Sequence, residues 1–385
     1  MIRQIIIVSA LNFRSMSQRF WQSMVIVVGL AATIGVLLSM NSLSEGMLKG
    51  YLKAGDSGRA IVASVGATRE PASHITRDMA KLISVAPGIA KDVDGAPLAD
   101  FGINATLPVV RNDGSSSNTT MRGVGPKALK IRPEIKIVSG RMFRSGQREM
   151  VVGVSAQAQY RDMKIGDYVA MPDGAWPIVG AYTSGDVLEG QVLGDADTVM
   201  TATHKKSYNS VLVRLESYNS LSTLKNALTS NPALAVTVER HNDWYKQFSA
   251  GFSGFLTAIA YVIGGILAVG ALFGCLNTMY AAVSTRGREI ATLRALGFGA
   301  FPVAVSVMLE AILLSVAGAL LGAAIAWLLF DGRQQPFGNN VYHLTVSGAG
   351  IGLGVIWACV VALLGGLLPS IQAARRPVAE ALRAT

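Results

Sequence analysis

Four long apolar stretches constrain this chain more strongly than any other feature of its sequence. An ionised side chain near the centre of a bilayer is costly, so about 20 residues without charge predict a membrane-spanning helix. The third stretch is interrupted by one charged residue, Glu310, and the other three contain none. The stretches lie between Arg19 and Glu45, between Lys246 and Arg286, from Phe301 to Phe330 and from Leu344 to Ile371. We therefore predict four transmembrane helices.

The composition agrees with a membrane protein that also carries a large polar domain. Hydrophobic residues make up 51% of the chain and charged residues 15%, and the mean hydropathy is +0.41. The interval between the first and second stretches, about 200 residues of ordinary polar composition, is long enough for a domain. The second stretch is longer than a span requires, which predicts a helix that projects beyond the lipid.

The distribution of arginine predicts the orientation, because short cytoplasmic segments keep an excess of Lys and Arg. The loop from Asp331 to Thr345 contains one Lys or Arg residue, Arg333. The opposite side carries Arg3, Arg14 and Arg19 before the first span, Arg286, Arg288 and Arg294 between the second and third, and Arg375, Arg376 and Arg383 after the fourth. Both termini are therefore predicted to be cytoplasmic, and the large domain faces out. The net charge of +10 follows largely from this asymmetry, so we predict no nucleic-acid partner.

A cleaved signal peptide is the alternative to a first membrane span. The apolar core from Met24 to Met40 is long for such a peptide, and the segment LLSMNSLSE at its end offers no A-x-A-like cleavage site. We interpret the stretch as an uncleaved signal anchor.

The large domain is predicted to have a mixed α+β fold. Both of its ends show the order strand, helix, strand, and its middle, approximately residues 115–200, has short strands between turn signals. The predicted elements at the two ends are a strand at 59–67, a helix after Thr76, a strand at 97–110, a strand at 210–215, a helix at 220–230 and a strand at 234–240. The fold class is thus four transmembrane α-helices with two βαβ-type units and a β-rich lobe between the first and second spans.

The sequence offers no catalytic, cofactor or metal site. Cys275 and Cys359 both lie in predicted spans, so no disulfide framework supports the large domain. The four histidines, His74, His204, His241 and His343, lack ligand spacing. An ATP-binding P-loop requires a Gly-Lys dipeptide, and these 385 residues contain none.

The segment from Val283 to Gly299, between the second and third spans, has the pattern of a short amphipathic helix. Ile290, Leu293 and Leu296 recur at three-residue steps, and Gly297 provides a stop. Its predicted polar surface consists of Arg286, Arg288, Glu289 and Arg294. Such a helix either lies on the membrane or docks into a partner, and periodicity alone fits a helical positive-inside loop equally well.

Eight residues of this segment fit the pattern S-x-R-x-x-E-I-x-x-L-R-A-x-G, namely Ser284, Arg286, Glu289, Ile290, Leu293, Arg294, Ala295 and Gly297. Looser motifs occur at Leu309–Glu310 and at Pro369, Ala373, Pro377, Glu380, Ala381, Leu382 and Arg383. The large domain contains GRMF, VVG, IGD and IVG. With these motifs the chain resembles the MacB/FtsX family of ABC-transporter permeases, in which the first pattern marks the coupling helix.

The resemblance implies a permease subunit that works with a separate ATPase. In this family two permease protomers, as a homodimer or a heterodimer, assemble with two ATPase subunits, and each coupling helix sits in a cleft of one ATPase. ATP and Mg²⁺ are then bound by the partner, and this chain binds no cofactor. The residues expected to contact the ATPase are Arg286, Arg288, Glu289, Ile290, Leu293, Arg294 and Gly297.

These patterns and the resemblance together give a layout in a bacterial inner membrane. An N-terminal amphipathic helix takes residues 1–20, the first span 21–44 and the periplasmic domain 45–247. The second span with a stalk takes 248–283, the cytoplasmic coupling helix 284–298 and the third span 301–330. A periplasmic loop, the fourth span and a cytoplasmic C-terminal segment follow at 331–345, 346–370 and 371–385.

Two features inside the predicted spans bear on packing and charge. Glycines at four-residue steps suit close helix packing or dimerisation, namely Gly270 and Gly274, Gly318 and Gly322, and Gly350 and Gly354. Glu310 is interpreted as lying near the cytoplasmic end of the third span, where snorkelling lowers its cost, and a proton relay is the alternative.

The resemblance implies mechanotransmission, in which ATP-driven closing of the ATPases moves the periplasmic domain. We expect export or extraction of a hydrophobic, peptide or lipidated cargo from the periplasm or inner membrane. A periplasmic adaptor and an outer-membrane channel follow only by family analogy, and the lipid bilayer is a further partner. The alternative is an FtsX-like regulatory permease that activates cell-envelope enzymes without transport. An ATP-independent carrier or sensor is a third reading.

Overall fold

The computed structural model describes residue 4 and residues 20–375. These residues divide into two compact units. The membrane unit comprises Met1–Ser44, Gly254–Arg333 and Thr345–Thr385, and the large domain comprises Glu45–Ser253 with Gln334–Leu344. Nearly all of the predicted N-terminal helix, and the end of the C-terminal segment with Pro377 and Glu380, lie outside the described residues.

The secondary structure begins with one long helix and continues through the mixed domain. The elements up to the middle of the domain are α1 (Phe20–Ala54), β1 (Arg59–Ser64), α2 (Arg77–Ser84), β2 (Ala99–Val110), β3 (Ser116–Val124), α3 (Ala128–Ile131), β4 (Lys136–Gly140), β5 (Met150–Gly153), α4 (Val154–Gln159), β6 (Tyr168–Met171) and β7 (Gly174–Thr183). The remaining elements are β8 (Val192–Asp195), α5 (Ala196–Ala202), β9 (Ser210–Arg214), α6 (Ser220–Thr229), β10 (Val236–Arg240), α7 (His241–Thr285), α8 (Gly287–Ala295), α9 (Ala300–Phe330), β11 (Gln334–Phe337), β12 (Asn340–His343) and α10 (Gly348–Arg375).

Four of the described helices, α1, α7, α9 and α10, are long and apolar enough to cross a membrane. The 45 residues of α7 correspond to about 68 Å of helix, more than twice the roughly 30 Å of a hydrocarbon core. The residues of α1 from Glu45 onward, and those of α7 up to Ser253, belong to the large domain. Two spans therefore continue into the domain without a break in the helix.

Glycines of α9 and α10 lie against α1 in the membrane unit. A Cβ atom added to Gly318 would be 2.7 Å from the carbonyl oxygen of Val27, and one added to Gly322 would be 2.4 Å from that of Ala31. The glycines of α10 behave similarly, since an added Cβ would be 3.0 Å from Ile34 Cγ2 at Gly354 and 3.2 Å from Asn41 Nδ2 at Gly350.

The α7 glycines differ from this pattern. An added Cβ at Gly270 meets open space, and at Gly274 the nearest atom is Val25 Cγ1 at 4.0 Å. The four-residue spacing that predicts close packing therefore corresponds to a tight contact in α9 and α10 but not in α7, where the glycine face carries the exposed side chains of Ile266 and Phe273.

We expect Gly322→Ala to destabilise the membrane unit by about 1–3 kcal/mol, because the new methyl group overlaps the α1 backbone. Gly270→Ala is the matched control, since it adds the same group to a helix of the same kind in open space and improves helix propensity. Thermal unfolding of the purified protein in detergent measures both. Equal melting temperatures for the two variants would contradict the packing.

The two strand–helix–strand units of the large domain form one sheet by interleaving. The strand order β10-β1-β9-β2 is antiparallel throughout, so β1 lies between the two strands of the second unit. This is the split βαβ arrangement of ferredoxin-like folds. The sequence predicts the two units correctly, but their interleaving depends on contacts between strands about 150 residues apart.

The β-rich lobe continues the same sheet. A long antiparallel hairpin joins β2 to β3, with register from Ile103 opposite Gly123 to Val110 opposite Ser116. The order then runs β3-β8-β5-β7-β4, and β6 pairs with β7. The pairs β3–β8 and β5–β7 are parallel, and the others in the lobe are antiparallel.

The loop between α9 and α10 forms the hairpin β11–β12 and belongs to the large domain. Its turn contains Gly338 at φ +59°, a backbone angle that glycine adopts without strain. Thr120 donates its backbone N–H to Asn339 at 3.1 Å, and the Gln191 amide donates to Asn340 Oδ1 at 2.7 Å. The chain therefore contributes to the large domain from both sides of the second span.

Candidate functional site

The candidate site is α8 with the two residues that flank it, between the second and third spans. The helix ends where the sequence predicts a stop, because Gly297 has φ +94° and donates its N–H to the carbonyl of Arg294 at 3.1 Å. Phe298 then donates to the carbonyl of Leu293 at 3.1 Å. This pair of bonds from a left-handed glycine and its successor closes the last turn of the helix.

The inner face of α8 is apolar and buried in the membrane unit. Ile290 is 5% exposed and Ala291 is 3% exposed, and Ile290 belongs to the same buried cluster as Val283 and Val303. This differs from the expectation that Ile290 contacts a partner. The side chain stabilises the position of α8 against its own chain instead.

The apolar residues of α8 do not share one face. Successive residues of an α-helix are rotated by about 100°, so two steps of three residues place Leu296 roughly 120° away from Ile290. Leu296 is accordingly 72% exposed, and Leu293 between them is half-buried. Leu296 is therefore an exposed apolar side chain of the site. The three-residue pattern alone places it on the same apolar face as Ile290, which is wrong.

Arg286 is buried beneath α8 and holds two carboxylates. Its Nε atom is 3.0 Å from Glu289 Oε2, and its Nη1 atom is 3.2 Å from Glu310 Oε2. Arg286 is 6% exposed and Glu310 is 8% exposed. This corrects two expectations, since Arg286 is not on the polar surface of the helix and Glu310 is paired inside the protein rather than snorkelling. A buried charge requires such a partner.

The outer face of α8 consists of polar side chains and Leu296. Arg288, Glu289 and Thr292 are exposed, and Arg294 is half-buried. Glu289 lies in the first turn and Arg294 in the last, which is the favourable arrangement for the helix dipole. The arrangement offers a partner protein one large apolar side chain at the end of the helix and a row of charged and polar groups before it.

At its other end α7 joins the large domain with no linker residue, because β10 ends at Arg240 and α7 begins at His241. Arg240 donates to the carbonyls of Ser57 at 2.6 Å and Tyr218 at 2.9 Å, and its guanidinium lies 3.7 Å from the centre of the Tyr218 ring. His241 is fully buried. The junction between strand and helix is thus held by the domain on both sides.

Four aromatic side chains connect the chain segments that enter the large domain. Tyr51 of α1 has its ring centre 5.4 Å from Tyr245 and 5.0 Å from Phe248, both on α7, and 6.1 Å from Tyr342 on β12. The hydroxyl groups of Tyr51 and Tyr342 are 3.1 Å apart. We call these four residues the aromatic cluster. No short-range pattern predicts it, since its members come from three distant parts of the sequence.

The described residues include no group of three or more His, Cys, Asp or Glu side chains placed to hold a metal ion. The two cysteines are not bonded to each other.

Two family descriptions match most of the chain. Residues 23–231 match the MacB-like periplasmic core domain, and residues 261–378 match the FtsX-like permease C-terminal region. The first match alone covers more than half of the sequence. It includes β1 to β9, and the second includes α8.

Individual relatives are more distant. The macrolide export ATP-binding/permease protein MacB of Shewanella sp. (strain ANA-3) is 23% identical over 397 residues, covering 93% of this chain and 57% of that protein. The uncharacterized ABC transporter permease YvrN of Bacillus subtilis (strain 168) is 30% identical over 145 residues, 36% of this chain and 34% of that protein. The chain thus spans about half the length of the first relative and about a third of the second.

Among solved structures, the periplasmic region of MacB from Actinobacillus actinomycetemcomitans covers 51% of this chain and 94% of its own, with 12% identity and a TM-score of 0.38. The extracellular domain of the noncanonic ABC-type transporter YknZ from Gram-positive bacteria covers 47% and 99%, with 14% identity and a TM-score of 0.37.

Proposed function

The chain belongs to the MacB/FtsX family of ABC-transporter permeases, and from this premise we propose that it couples ATP hydrolysis by a separate ATPase to movement of its large domain. The movement drives export or extraction of a hydrophobic, peptide or lipidated cargo. The observation that carries the proposal is the continuity of α7. This single helix begins directly after strand β10 of the large domain and ends at Thr285, just before α8.

The continuity of α7 supports a mechanical role. Helical hydrogen bonds make a helix stiff along its axis, and α7 passes into β10 without an intervening loop. Arg240 and the buried His241 hold this junction, so a displacement of α7 reaches the sheet directly. The aromatic cluster joins the same helix to α1 and to the hairpin β11–β12.

The family implies an ABC ATPase partner and dimerisation. We propose that the ATPase binds the outer face of α8, with Arg288 and Glu289 as contacts at its start and Leu296 as the apolar contact at its end. Arg286 and Ile290 hold the helix from inside. ATP and Mg²⁺ are bound by the ATPase. The distribution of arginine supports a bacterial inner membrane location with both termini cytoplasmic and the large domain in the periplasm.

The match of residues 23–231 to the MacB-like core domain supports the transport reading over an FtsX-like regulatory one. We further propose, by analogy with the family alone, that a periplasmic adaptor and an outer-membrane channel complete the system.

Co-purification with the ATPase tests the coupling assignment. We expect Glu289→Ala with Leu296→Ala to reduce association at least about tenfold, because an apolar contact and a charged contact are lost together. The matched control is Leu329→Ala with Arg333→Ala, an exposed apolar and charged pair at the other end of α9. Undiminished binding by the α8 variant would sink the assignment of this face.

A further inference from the structure

The large domain contains an open cavity of about 260 Å³ whose walls differ in chemistry. Strands β2 and β3 and the turn at Glu70–Ala72 form a polar wall, and the first turns of α7 form an aromatic one. Tyr51 of α1 and Asn339 of the β11–β12 hairpin also line the cavity. A concave site with an apolar wall and a few convergent polar groups is the usual form of a small-molecule pocket.

A buried ion pair organises the polar wall. Arg122 Nη1 is 2.8 Å from Glu70 Oε2, and the same oxygen accepts a hydrogen bond from Asn104 Nδ2 at 2.8 Å. Burial acts to raise the pKa of Glu70, but the charge of Arg122 and the bond from Asn104 hold that pKa below its ordinary value. Arg122 also donates to Gln191 Oε1 at 3.0 Å. Glu70 and Arg122 therefore neutralise each other in a fixed geometry.

The remaining charges on the wall are positive. Lys205 and Arg69 also line the cavity, and Glu70 is the only carboxylate among the described lining residues. Lys205 is half-buried, donates to the carbonyl of Asn104 at 2.5 Å, and has its pKa lowered by burial. An anion beside Lys205 would offset the burial of its charge.

The opposite wall is aromatic. Trp244 is 6% exposed, Tyr245 is 4% exposed, and Phe248 beside them is half-buried. These rings provide a large contact area of low flexibility. The cavity is slightly smaller than the roughly 300–1,000 Å³ that drug-sized ligands occupy, so it suits a smaller molecule.

We propose that this cavity binds a small amphipathic carboxylate, whose anionic end pairs with Lys205 and Arg69 and whose apolar part packs on Trp244 and Phe248. The proposal goes beyond the coupling function and does not depend on it. Because α1, α7 and the hairpin all contribute walls, an occupant contacts every chain segment that enters the large domain. Binding would therefore stabilise the contacts of α1 and α7 within the large domain.

Calorimetric titration of the full chain in lipid nanodiscs tests the chemistry. The probe is 3-phenylpropionate, compared with its uncharged analogue 3-phenylpropanamide and its cationic analogue 3-phenylpropylamine, and with empty nanodiscs to subtract lipid partitioning. We expect the carboxylate to bind at least about tenfold more tightly than the amide, because charge-assisted hydrogen bonds are stronger than neutral ones. The amine should bind most weakly, since the cavity is positive.

Two neighbouring lysines provide the matched variants. Lys205→Met removes the charge at the cavity and keeps a side chain of similar length, whereas Lys206→Met removes an exposed charge that does not line it. We expect Lys205→Met to weaken 3-phenylpropionate about tenfold and to leave 3-phenylpropanamide unchanged, with Lys206→Met close to the parent protein. Quenching of the intrinsic tryptophan fluorescence, to which Trp244 and four other tryptophans contribute, should follow the same order.

Three outcomes overturn the proposal. The first is no saturable binding of 3-phenylpropionate, the second is binding no tighter than that of the amide or amine, and the third is an equal loss in Lys205→Met and Lys206→Met. The ATPase association of the same variants is measured in parallel. A variant that loses carboxylate binding but keeps normal ATPase association shows that the cavity and the coupling function are tested separately.

Discussion

Replacing Gly251 with proline is expected to abolish the proposed ATP-dependent movement of the large domain while the proposed ATPase partner remains bound. Gly251 lies in α7 in open space, ten residues after the strand junction, and is exposed. Proline removes one helical hydrogen bond and clashes with the preceding turn, which costs a helix about 3 kcal/mol and kinks it. Force from α8 would then bend α7 instead of displacing β10.

Gly251→Ala is the matched control, because it changes the same exposed position and favours the helix. Spin labels at Val93, which is 94% exposed in the large domain, and at Thr285, at the end of α7, report the distance with and without ATP once Cys275 and Cys359 are replaced by alanine. We expect the ATP-dependent change in distance in the alanine variant and none in the proline variant. A full change in the proline variant would mean that force reaches the domain by another route.

Replacing Glu310 with alanine is expected to destabilise the membrane unit by about 3–5 kcal/mol, because it removes a buried carboxylate that pairs with the buried Arg286. The position of α8 depends on this arginine, so ATPase association should also fall. Thermal unfolding in detergent, with the co-purification assay, measures both effects.

Two comparisons show whether the loss comes from the buried charge. The double variant Arg286→Met with Glu310→Leu replaces the pair by apolar side chains and should recover most of the stability, as buried ion pairs replaced by packed apolar groups often do. Glu289→Gln changes the exposed partner of the same arginine and should cost less than about 1 kcal/mol. If Glu310→Ala and Glu289→Gln unfold at the same temperature, the buried pair contributes no special stability.

Local signals in the sequence predict the separate elements well. Thr76 is predicted as an N-cap, and in the structure its hydroxyl accepts a hydrogen bond from the N–H of Met79 at 3.3 Å as α2 begins. The helix predicted at 220–230 corresponds to α6, Ser220–Thr229. The four spans follow equally directly from the cost of charge in lipid. These features each depend on about 10 to 30 neighbouring residues.

The features that the sequence does not reveal depend on contacts between distant residues. The pair of Arg286 and Glu310 joins two positions that are each suitable for a membrane surface when considered alone. The exposure of Leu296 depends on which face of α8 the neighbouring spans cover. The cavity needs β2, β3, α7 and the hairpin together, and no single one of them signals it.

The hairpin β11–β12 has a consequence for the biosynthesis of the chain. It is made after the third span, whereas the strands that it completes, such as β3 with Thr120, are made some 200 residues earlier. With the proposed orientation, the large domain lacks the contacts of Tyr51 with Tyr342 and of Thr120 with Asn339 until the hairpin has been translocated. On the same proposed orientation, we expect a chain whose third and fourth spans fail to insert to leave this domain incomplete and open to proteolysis.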